Sequence, residues 1–169
     1  MSLINGLPAH VLLVHVVVVL VPLTAVALVA AALWPRAARR LGPLLPLLAL
    51  VALVSVPLTT QAGEWLERHV DDDPLVRRHT ELGDGLLPWV LGLFALAVVV
   101  WWAGRRASAG PERDGARPVA LTVRIVVGVL SLAVAAGAVV QVYRIGDSGA
   151  RAAWHDAYSK TPTRSARQH

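Results

Sequence analysis

Four long stretches with almost no charge constrain this chain more than any other feature. Val11 to Trp34, Leu41 to Gly63 and Gly85 to Gly104 contain no Asp, Glu, Lys or Arg, and Pro118 to Tyr143 contains only Arg124. At about 1.5 Å per residue, each can cross a hydrocarbon layer about 30 Å thick. Valine is abundant in them, but hydrocarbon offers no water to an open sheet edge, so the runs are predicted to be helices. The expected fold is all-α: an integral-membrane four-helix bundle, one domain over residues 1–160. Its helices are expected at about 9–34, 43–69, 74–104 and 118–145, ahead of a disordered tail over 161–169. Composition agrees, since 16% charged residues is well below the roughly one quarter that a soluble domain uses to wet its surface.

The connections predict orientation. Arg36, Arg39 and Arg40 lie between the first two runs, and Arg105, Arg106, Arg113 and Arg117 between the last two. Short arginine-rich loops stay cytoplasmic. The middle connection holds Glu64, Glu67, Asp71, Asp72, Asp73, Glu81 and Asp84 and is expected outside, with both termini. The basic C-terminal tail runs against this assignment, and the short loops are ranked above it. No Lys or Arg precedes Arg36, so the first run lacks the positive flank of a cleaved signal peptide. A multi-pass protein of the bacterial cytoplasmic membrane is expected. The net charge of +5 follows from this topology rather than from nucleic-acid binding.

Local signals refine the picture. Asp73 and Pro74 suit a helix cap and first helical position, so the third helix should start outside the lipid. Gly146 and Gly149 predict a break after the fourth helix, followed by a short amphipathic piece over Ala150 to Tyr158. Arg124 is close enough to its helix end to snorkel to the headgroups. The likeness of GLPAHVLLVH at Gly6 to GLLPWVLGLF at Gly85 duplicates no histidine and is treated as coincidence.

Cysteine is absent, which leaves only nitrogen and oxygen to hold a metal or cofactor. The motifs of serine and zinc hydrolases and of phosphate-binding loops are also missing. Six histidines remain: His10, His15, His69, His79, His155 and His169. Counting about 1.5 Å per residue from each helix's cytoplasmic end, His10, His79 and His69 rise to a common level about 36–39 Å up, and His15 to about 28 Å. Histidines brought level on separate helices can grip a planar cofactor from both faces, and haem held without a thioether would be b-type. Copper or zinc could use the same histidines, including His69 and His155, with nearby carboxylates. His10 and His15 are five residues apart, about 140° around a regular helix, so they cannot share one ion. His15 is a candidate because it interrupts an apolar run. Arg68, Arg77, Arg78 and Arg144 stand at the same end, where haem propionates would find bidentate donors. The tryptophans, Trp89 among them, fall near the expected interfaces and suit a membrane belt.

GLPAHVLLVH, AGEWLERH, RRHTELGDG and YRIGDSGARAAW together resemble the bacterial inner-membrane family known as domain of unknown function 2231, over Gly6 to Trp154. The resemblance implies four spanning helices, a His-x4-His pattern opening the first helix and a further histidine ahead of the third. It carries over to His10, His15 and His79, and less clearly to His69 and His155. The leading expectation is a haem-binding, cytochrome b-like protein moving electrons near the outer face, an electron-transfer or binding protein rather than a catalyst. Its partners would be quinol or a periplasmic redox protein. A copper or zinc module and a cofactor-free scaffold are the alternatives. Small residues in SLAVAAGAVV would let a second copy pack closely as a homodimer.

Overall fold

The computed structural model describes residues 3–4, 7–67, 74–109 and 117–154. A two-residue antiparallel pair, β1 (Leu3–Ile4) and β2 (Leu7–Pro8), precedes an otherwise helical chain. The helices are α1 (Ala9–Leu33), α2 (Pro35–Leu41), α3 (Leu44–Glu67), α4 (Pro74–Asp84), α5 (Leu87–Ala109) and α6 (Arg117–Trp154). Four segments are long and apolar enough to cross a membrane, and the protein is a multi-pass membrane protein. By length and composition the third begins at Pro74, where α4 runs towards α5. However, α4 carries Arg77, Arg78, Glu81 and Asp84 within eleven residues, which hydrocarbon does not accept. The lipid crossing in this segment is therefore α5, with α4 lying on the end of the bundle.

Lipid tails are as apolar as leucine, so burial does not drive the helices together; close packing of small side chains does. The buried positions recur every three or four residues: Val21, Ala25 and Leu28 on α1, Leu45, Ala49, Ala52 and Val56 on α3, Val90, Leu93 and Ala97 on α5, and Ser131, Ala135 and Ala138 on α6. Many other large side chains point outward, as with Val19 at 63% and Val26 at 67% exposure, where lipid covers them. The central helix is α1, packed against α3 and α6 and touching α5. Thr24, Ser55 and Thr59 return their hydroxyls to carbonyls of their own helices, at Leu20, Ala52 and Ser55. These three hydroxyls are thereby satisfied without water, while that of Ser131 is buried without a partner among the described residues.

Several expectations are corrected. The first basic connection forms the helix α2, with Pro35 at its first position and Gly42, at φ 47°, ending it. The third helix is two helices. Pro88 has no N–H to offer and suits the first turn of a new helix, so the chain turns at Gly85 and restarts at Leu87. The break expected near Gly146 is absent; α6 continues to Trp154, since a single helical glycine costs only about 1 kcal/mol. Arg124 is exposed, and its Nη2 donates to the carbonyl of Leu33 at 3.3 Å, meeting one of the unpaired carbonyls at the end of α1. At the same end Arg105 and Arg106 stack over Trp101 and Trp102. Within SLAVAAGAVV, Ser131, Ala135 and Ala138 are core and Gly137 lies under the ring of Trp89, while Ala133 and Ala136 are exposed. Trp89 joins α5 to α6. The tail expected to be disordered, 161–169, lies outside the described residues.

A methyl group on Gly137 would occupy the space of the Trp89 ring. Gly137→Ala is expected to destabilise the detergent-solubilised protein by about 1–3 kcal/mol, the usual range for overpacking. Thermal unfolding together with altered Trp fluorescence would check this.

Candidate functional site

At the end of the bundle opposite the Arg105–Arg106 pair, α1 and α4 each deliver one histidine. His10, in the first turn of α1, is half-buried, and its Nδ1 donates to the carbonyl of Thr59 on α3 at 3.1 Å. His79, on α4, is also half-buried. Its Nδ1 donates to the carbonyl of Ile145 on α6 at 3.1 Å and to Ser148 Oγ at 3.0 Å. Ser148 in turn donates its hydroxyl proton to the Ile145 carbonyl at 2.8 Å.

Both bonds are made in the same way. A helical carbonyl points along the axis toward the residue four positions later, whose Cβ normally crowds it. Gly63 follows Thr59 by four residues, and Gly149 follows Ile145 by four. A Cβ on Gly63 would stand 3.0 Å from His10 Cε1, and one on Gly149 3.0 Å from His79 Cε1. Each imidazole therefore occupies the space that a glycine leaves open beside a carbonyl.

The chemistry follows from the acceptors. Carbonyl oxygens only accept, so both histidines carry a proton on Nδ1, and in the neutral form of each ring the Nε2 lone pair is left for a ligand. An Nδ1–H bound to a backbone carbonyl is the usual outer-shell support of a metal-ligating histidine. The two ring centres are 6.3 Å apart and the ring planes are nearly perpendicular, at 86°. An imidazole nitrogen lies about 1.1 Å from its ring centre and a first-row metal about 2.0–2.1 Å beyond, so two imidazoles in line on opposite sides of one ion hold their centres about 6.3 Å apart. The separation of the pair equals that of two in-line imidazole ligands, and two is the number that an iron already held by a porphyrin requires.

The other candidates fall elsewhere. His15 is exposed on α1, turned away from His10 by the helical geometry. His69, His155 and His169, along with Arg68, lie outside the described residues or have no described side chain. Among the described residues, no three His, Asp or Glu side chains gather as a metal site would need. Arg77, Arg78 and Arg144 are all exposed at this end. Arg78 and Arg144 line a groove between α4 and α6 together with Asp147, Ser148 and Arg151, while Arg77 does not. Gln141, missed in the sequence, donates its Nε2 proton to the Leu82 carbonyl at 2.7 Å, holding the end of α4 to α6. A Cβ on Gly85 would stand 2.9 Å from that nitrogen, so this contact too needs a glycine.

A family profile described as "Predicted membrane protein (DUF2231)" matches residues 6–162. The chain belongs to that family. Its matched region takes in both histidines, both glycines and the whole of the groove. No curated protein and no solved structure matches the chain.

Burial lowers the pKa of His79 below the ordinary histidine range, the nearby His10 ring acts in the same direction, and the bond to Ile145 opposes them. The unfolded chain therefore takes up this proton at a higher pH than the folded one. The stability it contributes is complete above the ordinary value of about 6.5 and is lost as the pH falls below it. Melting of the wild-type protein is expected to drop on acidification, and His79→Gln should flatten that dependence. Gly63→Val and Gly149→Val are each expected to displace one imidazole and cost about 1–3 kcal/mol. Nitrogen NMR of the histidines should show the loss of the Nδ1 hydrogen bond. Gly146→Ala, where a Cβ meets nothing within 4 Å, should be neutral or stabilising by up to about 1 kcal/mol.

Proposed function

We propose that this protein is a b-type haem protein of the membrane, with His10 and His79 as the two protein ligands of the iron. One observation carries the reading: the two imidazoles, both fixed by Nδ1–H bonds to helix carbonyls, have ring centres 6.3 Å apart. Bound haem would supply one-electron chemistry at the iron. The chain's own part is to orient the rings through Thr59 and Ile145 and to present two neutral nitrogens. Packing around the half-buried pair would limit water, and axial ligands and burial are the means by which a protein sets an iron's potential.

The histidine end is assigned to the outer face, because the connections at the opposite end carry the arginines of short loops. Both termini then lie outside a bacterial inner membrane, and electrons would pass between quinol and an acceptor beyond the membrane. A porphyrin's propionates would be received by the exposed arginines of that end, Arg77 being the one clear of the groove. A copper or zinc centre would need further ligands in addition to the pair.

Purified after expression with added haem precursor, the wild-type protein is expected to show a Soret band and a positive pyridine haemochrome. His10→Ala and His79→Ala should each remove the spectrum of a doubly histidine-ligated iron, and His15→Ala should leave it intact. Absence of porphyrin, or copper or zinc in its place by elemental analysis, would overturn the proposal.

A further inference from the structure

The groove between α4 and α6 has a volume of about 190 Å³ and is walled by Leu75, Arg78 and Leu82 from one helix and by Tyr143, Arg144 and Ser148 from the other. Its charges do not cancel. Asp147 is engaged by Arg151 at 3.0 Å, which leaves Arg78 and Arg144 facing the groove without an acidic partner among its lining residues. Its lower rim is apolar and aromatic: Tyr143 is 73% exposed, and one turn further into the membrane Val139 and Val140 are exposed on the same helix. A site with arginines above and a lipid-facing strip below suits an amphiphile with an anionic head.

The groove also lies behind His79. Ser148, one of its walls, meets the ring at Nδ1, whereas a metal would bind at Nε2 on the other side. A porphyrin held at Nε2 would carry its carboxylates on that side of the ring, which leaves the groove on the Nδ1 side to a different anion. We propose that it holds the phosphate of a membrane phospholipid, bound by Arg78 and Arg144, with an acyl chain descending past Tyr143 along Val140. Bidentate arginine–phosphate pairing supplies the recognition. The site stands whether or not the histidines hold a metal.

Native mass spectrometry of the full chain in a maltoside detergent tests this directly on haem-free protein. Wild type and Arg77→Gln are expected to retain added phosphatidylglycerol. Arg144→Gln and the double variant Arg78→Gln/Arg144→Gln should retain it less, the double variant by about tenfold or more, with circular dichroism confirming the fold. A galactosyl diacylglycerol with the same acyl chains should bind weakly, and inorganic phosphate alone should neither bind measurably nor displace the lipid. Equal retention by the double variant, equal binding of the galactolipid, or binding of free phosphate in preference to lipid would each overturn the proposal. So would release of the lipid when haem is added, which would give the groove to the propionates.

Discussion

Hydrocarbon neither hydrates a backbone nor rewards one apolar surface over another, and the architecture of this protein follows from that double indifference. The chain crosses as helices because only a helix pairs its own amides. The helices meet along alanines interleaved with valines and leucines, because shape is what distinguishes a neighbouring helix from a lipid. Many further valines and leucines face outward, the reverse of a water-soluble domain. Charged side chains are accordingly gathered at the two ends. One end carries stacked arginine–tryptophan pairs and an arginine reaching the end of α1, and the other carries the histidines.

The histidine end uses a single device twice. Small residues let helices approach within the bundle, and at its end two of them let imidazoles approach. Thr59 with Gly63 and Ile145 with Gly149 are the same arrangement on α3 and α6, each receiving a ring from a different helix. The likeness is incomplete, because Ser148 adds a second acceptor on the His79 side alone. The two rings are therefore held in unlike surroundings, one by a carbonyl and the other by a carbonyl and a hydroxyl.

Much of the fold could be seen in the sequence, because the absence of charge over twenty or more residues has few physical explanations. The level histidines were visible for the same reason: rise per residue is nearly constant in a helix, so counting from one membrane face gives height. What a count cannot give is azimuth and partner. His15 attracted attention as an ionisable group in an apolar run, yet five residues of helix turn it away from His10. The break before Pro88 was present as a signal but was hidden inside an uncharged stretch. The receiving carbonyls left no trace at all, since any residue has one. Only the glycines four positions later mark them, and in TTQAG and IGDSG that spacing is the whole of the shared pattern.

His10 lies in the first turn of α1, and the carbonyl that receives His79 lies 66 residues beyond that histidine, on α6. The first ring can be seated once α3 exists, but the second must wait until α6 has entered the membrane. The pair is therefore completed only once α6 is in place. A chain truncated anywhere before Gly149, or inserted with one crossing missing, presents a single imidazole and not a clamp.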